Sequence, residues 1–281
     1  MNVQQKLALN FIRTKLNLLA IINIKKAGEE AFKIFCTPFV KYSGKKSVVF
    51  TSGEPLQFLL DGKLVRGFRC NHPKQHKVLL LHGFSSSCNN FQGYVQPLIE
   101  KGYEVLAFDA PAHGESEGKR IHAMEYCEMI KKTIELYGPV TGFIAHSFGG
   151  IALSLALEQI PHGADTKVVL IAPATETSTA IDNAMRILGI SNIALRNSLD
   201  DIIFNLGGKK TSWYSIRRAI KNMHASVLWI HDEDDDVTPI NDAIKVKDDA
   251  PLNVKFHFTR SLGHSRIYRD KMVMKEVVDF L

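Results

Sequence analysis

The chain of 281 residues is poor in several things that would direct its reading elsewhere. It has only four cysteines, Cys36, Cys70, Cys88 and Cys127, with neither close pairing nor metal-ligand spacing, which excludes a disulfide framework and a zinc ribbon. Such thiols are expected to stay reduced, as in a cytoplasmic protein. There is no glycine-rich phosphate loop, no dinucleotide fingerprint and no evident repeat, so the expected chemistry needs no cofactor. Long apolar runs are also missing. Arg13 and Lys15 interrupt the first one, and Leu16–Ile24 is too short to span a bilayer. Lys25-Lys26 follow that stretch where an export signal would carry small residues.

Charge is unevenly spread. Residues 1–50 hold nine Lys/Arg and two Glu, a balance of +7, whereas the whole chain is +6, which leaves −1 for the rest. The body is therefore near neutral, and a general nucleic-acid surface is not expected. Within this basic arm Lys6, Asn10, Arg13 and Asn17 recur at helical steps. Leu7, Leu9, Phe11, Ile12, Leu16, Leu18, Leu19 and Ile22 fill most of the remaining circumference. Three uses of residues 1–26 stay open: docking on the chain's own body, dimerisation, and peripheral contact with an anionic membrane.

Strand and helix patterns alternate from residue 77 to 172, which predicts a parallel sheet. Val78–Leu81, Val105–Phe108, Phe143–Ala145, Val168–Ile171 and Val227–Ile230 are almost wholly apolar, as strands covered on both faces must be. Phe58–Phe68 reads as a hairpin turning at Asp61-Gly62.

The most telling segment is Gly142-Phe143-Ile144-Ala145-His146-Ser147-Phe148-Gly149-Gly150. It predicts a buried strand that breaks sharply into a helix with Ser147 at the break. A serine hydroxyl is a poor nucleophile, and such a turn exposes its oxygen beside backbone N–H groups. The pattern is G-x-S-x-G with Ala145 in place of the first glycine. An activated serine needs a base, and the base an orienting acid. Ala225–His231 predicts a strand that delivers the carboxylates Asp232 to Asp236 to a loop. Val254–Phe258 predicts another, leading to Gly263-His264. The order serine, acid, histidine is that of nucleophile-elbow enzymes. Most of the acidic cluster is expected to be solvated charge, and His231 and His257 to be packing residues. The strand Lys77–Leu81 runs into His82-Gly83-Phe84, so the Phe84 N–H could face an oxyanion together with the Phe148 N–H.

Together His82-Gly83-Phe84, Asp109–Ser116, Ala145–Gly149, the Asp235 loop and Gly263-His264 resemble the α/β-hydrolase-fold serine hydrolases of esterase and lipase type, over roughly residues 46–281. The resemblance implies an α/β-hydrolase fold, with a mostly parallel central sheet and helices on both faces. It implies Ser147 as nucleophile, His264 as base and Asp235 as acid, with Asp232 and Asp234 as alternatives, and Phe84 and Phe148 as oxyanion donors. It makes Asp109–Ser116 a shaping turn, and leaves His82, His113 and His146 structural. The expected division is a basic amphipathic arm over 1–45 and a hydrolase domain over 46–281, with a helical cap insertion over 175–223. An apolar cap favours an ester or thioester with a hydrophobic acyl part, cleaved through an acyl-enzyme. The same residues would serve acyl transfer or carbon–carbon bond hydrolysis. A non-catalytic lipid- or partner-binding protein on the same scaffold is the rival of another class.

Overall fold

The computed structural model describes residues 3–39 and 47–281, with side chains from residue 7 onward. Two compact units emerge, one formed by residues 38–175 and 216–281, the other by residues 1–37 and 176–215.

The larger unit is built on one sheet. Among the described residues it has eight strands: β1 (Glu54–Leu60), β2 (Lys63–Cys70), β3 (Lys77–Leu81), β4 (Glu104–Phe108), β5 (Gly142–His146), β6 (Lys167–Ile171), β7 (Ser226–Asp232) and β8 (Val254–Thr259). Their spatial order is β1-β2-β4-β3-β5-β6-β7-β8. β1 and β2 form the expected hairpin, and β2 pairs antiparallel with β4. The hairpin turns where Asp61 and Gly62 both take positive φ, 46° and 74°, which matches the twist of the strands they join. All remaining pairings are parallel. The central strands are apolar along their length because helices cover both faces: every residue of β4 and β5 is buried. Tyr94, Phe91 and Val277 pack with Leu80, Ile144 and Leu228 in one core.

This order has one functional consequence. β3 is followed in the chain by β4 on one side and in space by β5 on the other, so the connections diverge at the β3/β5 boundary. In an open parallel sheet the crevice outside the strand ends lies at such a point. His82-Gly83 follow β3 there, and Ser147 follows β5.

The second unit is helical. Val3–Ile22 and Ile24–Phe35 come from the arm, while Thr177–Leu188 and Ile193–Gly207 come from the segment between β6 and β7. Asn23, extended at φ −157°, breaks the arm in two, and its side chain accepts the Lys26 N–H at 3.0 Å. Leu16 and Ala27 from the arm bury against Ile190 and Leu195. The crossing of Ile24–Phe35 with Ile193–Gly207 is so close that a Cβ on Gly28 would sit 2.3 Å from Ser198 Oγ.

This grouping differs from a 1–45 arm set against a 46–281 domain with a 175–223 cap. The arm shares a core with residues 176–215. The short helix Ile216–Ala219, in the expected cap, belongs instead to the sheet unit, where Ile216 and Ala219 are fully buried. The expected boundary at 45/46 lies outside the described residues.

Candidate active site

Ser147 stands between β5 and the helix Phe148–Leu157 at φ 53°, ψ −119°, a backbone geometry costly for any residue with a Cβ. Two glycines permit the turn. A Cβ on Gly149 would lie 2.6 Å from the Leu81 carbonyl oxygen, and one on Gly83 would lie 3.0 Å from Ser147 Cβ. The Ala145 that departs from the usual motif is fully buried, and its methyl group fits. Phe148 is the first residue of its helix, so its N–H has no intrahelical acceptor.

Three side chains from separate strand ends meet. His264 Nε2 lies 3.0 Å from Ser147 Oγ, and His264 Nδ1 lies 2.8 Å from Asp235 Oδ2. A carboxylate only accepts, so Nδ1 carries the proton and Nε2 presents its lone pair to the serine hydroxyl. Asp235 is held in turn: its Oδ1 accepts the Val237 and Thr238 N–H groups at 2.9 and 2.8 Å, and its Oδ2 accepts the Thr238 hydroxyl at 2.8 Å. Burial pushes this carboxyl up, but the hydrogen bonds from His264, Thr238 and Val237 outweigh it and leave the group below the usual carboxylate range.

The acidic cluster divides as its burial requires. Glu233, Asp234 and Asp236 are exposed, whereas Asp232 and Asp235 are buried. Asp232 does not reach the imidazole by any hydrogen bond; its oxygens accept the N–H groups of Leu262 (3.1 Å), Gly263 (2.9 Å) and Asp234 (3.0 Å) and the Thr259 hydroxyl (2.7 Å). Asp234 accepts the Ser261 N–H at 2.9 Å. Both therefore fix the loop that carries His264 and leave Asp235 as the acid facing the ring.

Four further histidines are hydrogen-bonded near the site. His146 Nε2 donates to the His264 carbonyl at 3.1 Å, with its ring 4.7 Å from the His264 ring and 4.3 Å from that of Tyr268. Burial and the nearby His264 hold His146 well below the ordinary imidazole value, so it stays neutral. His231 Nε2 donates to the Thr238 carbonyl at 2.8 Å. His82 Nε2 accepts the Ala110 N–H and His113 Nε2 accepts the Ser85 N–H, each at 3.0 Å. His82 and His113 thus clamp the segment after β3 to the turn after β4. That turn forms around Asp109, which accepts the Cys88 and Glu115 N–H groups at 2.9 Å each. A Cβ on Gly114 would lie 2.0 Å from Asp109 Oδ2, which is why glycine follows His113.

The rings of Phe84, which follows Gly83, and Phe148, which follows Ser147, meet edge to face with centroids 5.5 Å apart. Sequence reasoning missed the Thr238 hydroxyl, the grip of Asp232 on the 262–263 backbone, and the His146 bond. The signal for Thr238 was present: a threonine three residues after an acid in a turn is suited to capping that acid.

A family model described as Serine aminopeptidase, S33, matches residues 72–200. The uncharacterised hydrolase YugF of Bacillus subtilis (strain 168) is 32% identical over 108 residues, covering 37% of this chain and 39% of YugF. An abhydrolase domain-containing protein of Dictyostelium discoideum is 27% identical over 158 residues, 52% of this chain but only 17% of that protein. The chain thus spans well under two thirds of these relatives. Among solved structures, the esterase Pf2001 of Pyrococcus furiosus superposes with a TM-score of 0.65 at 19% identity, covering 88% of this chain and 97% of that one. Est1E of Butyrivibrio proteoclasticus, solved with ferulic acid, gives 0.62 at 17% identity, covering 80% and 97%. At such identities these structures speak to the fold.

Proposed function

We propose that this chain, which has the α/β-hydrolase fold, is a serine hydrolase that cleaves a carboxylic ester or thioester with a hydrophobic acyl part. The observation that carries this reading is the continuous hydrogen-bonded chain Asp235–His264–Ser147, with the serine held at a positive-φ turn. His264 Nε2 takes the proton of Ser147 Oγ as the oxygen attacks the acyl carbon. The carbonyl electron pair moves onto oxygen, where the Phe84 and Phe148 N–H groups stabilise it. The carbon–oxygen or carbon–sulfur bond then breaks, and the leaving group takes the proton from His264. Water then attacks the acyl carbon and gives a proton to the same nitrogen; the carbon–Oγ bond breaks, Ser147 Oγ takes that proton back from His264, and the acid is released. Asp235 holds the imidazole tautomer and stabilises the imidazolium.

The apolar preference rests on the paired rings of Phe84 and Phe148, the residues that follow Gly83 and Ser147 in the chain. The four cysteines form no disulfide, in keeping with work in a reducing compartment such as the cytoplasm. The family model's name favours a second reading, attack on the amide of an N-terminal residue. p-Nitrophenyl esters from acetate to dodecanoate, run beside aminoacyl p-nitroanilides, separate the two. The ester reading expects kcat/KM to rise with acyl length. Activity on the anilides alone, or a profile confined to acetate, overturns it.

A further inference from the structure

The helix Val3–Ile22 has two apolar faces, and only one is used. Leu16, 1% exposed, lies at the centre of the used face, with Ile12 and Leu19 packed beside it in the core shared with Ala27, Ile190 and Leu195. At 100° per residue Leu7, Phe11, Leu18, Ile21 and Ile22 fall within one stripe about 100° wide, on the side opposite Leu16. All five are exposed; Phe11 is 70%, Ile21 82% and Ile22 80% exposed. The stripe runs for about 22 Å along the helix. An apolar strip of this length, interrupted by the exposed Thr14, is more than the scattered surface leucines that need no explanation. It ends beside Ile24, itself exposed, and the exposed Lys25 and Lys26.

We propose that this stripe is a membrane-docking surface, which lays the helix along the headgroup boundary of an anionic bilayer. Charge selects this occupant over a second copy of the chain. Residues 3–37 carry six Lys/Arg and two Glu, so two such arms face to face would repel. Of the four carboxylate oxygens on the two glutamates, those of Glu30 are taken up by Lys15 at 2.5 Å and Lys33 at 3.8 Å. Lys25 and Lys26 form no ion pair among the described residues, and they flank the apolar end of the stripe. Apolar insertion combined with unpaired cations is the combination that gives reversible interfacial binding. Spanning is excluded for this helix: among the described residues no helix is long and apolar enough to cross a membrane. The inference stands on the arm alone and does not depend on the reaction proposed above.

Flotation of the full chain with lipid vesicles tests it. The protein is expected to float with phosphatidylcholine vesicles containing phosphatidylglycerol and to stay behind with phosphatidylcholine alone. Lys25→Gln/Lys26→Gln should lower the partition about 25-fold at low salt, about fivefold per charge. Phe11→Glu/Ile21→Glu, both on the exposed face, should lower it at least about tenfold, with the circular dichroism spectrum and melting temperature of the parent. Failure of the parent to float with anionic vesicles overturns the proposal, as does flotation of both variants to the same extent as the parent. A dimer seen by sedimentation velocity and dissolved by Phe11→Glu/Ile21→Glu also overturns it, because the stripe would then be occupied by a second copy.

Discussion

Asp232 accepts the Gly263 N–H at 2.9 Å, and through that bond the end of β7 positions the residue just before His264. Three residues further along, Asp235 accepts a hydrogen bond from the ring itself. One loop thus grips the histidine twice, once by its backbone and once by its imidazole. The division of labour explains why two of the five clustered acids are buried while the others face water.

It follows that the two acids fail differently when altered. Asp235→Asn keeps the loop but presents the wrong hydrogen-bonding pattern to Nδ1, and should cut kcat by about 10⁴ with little change in stability. Asp232→Ala leaves the Leu262 and Gly263 N–H groups without their acceptor; it should cost about 2–4 kcal/mol of stability and lower kcat less than Asp235→Asn. Urea unfolding alongside ester kinetics reads both. Equal kinetic losses would contradict the assignment of roles.

Thr238 offers a finer test. Its single hydroxyl proton has Asp235 Oδ2 at 2.8 Å and the Ala172 carbonyl at 3.2 Å as acceptors. Thr238→Val keeps the shape and removes this donor. The expected outcome is a loss in kcat of about tenfold across the pH–rate profile, because the Asp235 carboxylate and the ring it orients lose one fixing hydrogen bond. Thr238→Ser should recover most of the rate. An unchanged profile for Thr238→Val would count against a positioning role.

The elbow depends on backbone crowding more than on any side chain. Gly149→Ala puts a methyl group 2.6 Å from one backbone oxygen and 2.9 Å from another, Leu81 and His82, and neither can yield without moving β3. A loss of about 1–3 kcal/mol is expected, with a fall in kcat that exceeds any change in KM. Thermal melts and steady-state kinetics check it. A fully active, equally stable variant would show that the turn has slack.

Buried histidines set the acid sensitivity. Burial pushes His82 down to about 4, with the bond to the Gly83 carbonyl opposing. His146 and His231 are lowered from the same cause. Unfolded imidazoles titrate near about 6.5, so the unfolded chain takes up protons that the folded chain refuses. Stability is then complete above about pH 6.5 and falls as pH drops toward 4, by about 2 kcal/mol at pH 5 for His82 alone. Asp232 and Asp235 are lowered as well, but from near about 3.9, so their contribution is lost only below about pH 4. Urea midpoints at pH 7, 6 and 5 should decline; a flat response would contradict neutral burial of these rings.

Much of this was legible in the residues. Apolar runs identified the parallel strands, and Ala145–Gly149 identified the turn, because both follow from local sterics and burial. The Asp61-Gly62 hairpin was legible for the same reason. The arm was only half legible. Its apolar residues surround the helix almost completely, and periodicity cannot say that Leu16 is buried while Phe11 and Ile21 on the other side are exposed. The core with Ile190 and Leu195 was hidden because it joins segments some 170 residues apart. Asp232 could not be told from Asp235 by composition, since only the path of residues 259–263 decides which carboxylate meets backbone and which meets the ring.

The central claim is that Ser147 Oγ is the reactive nucleophile. The most direct test is labelling of the folded protein with a fluorophosphonate, followed by peptide mass mapping. One equivalent of phosphonate on Ser147, lost in His264→Ala while that variant remains folded, is the predicted result. No label on the folded protein, or a label on another serine with Ser147 unmodified, would contradict the account.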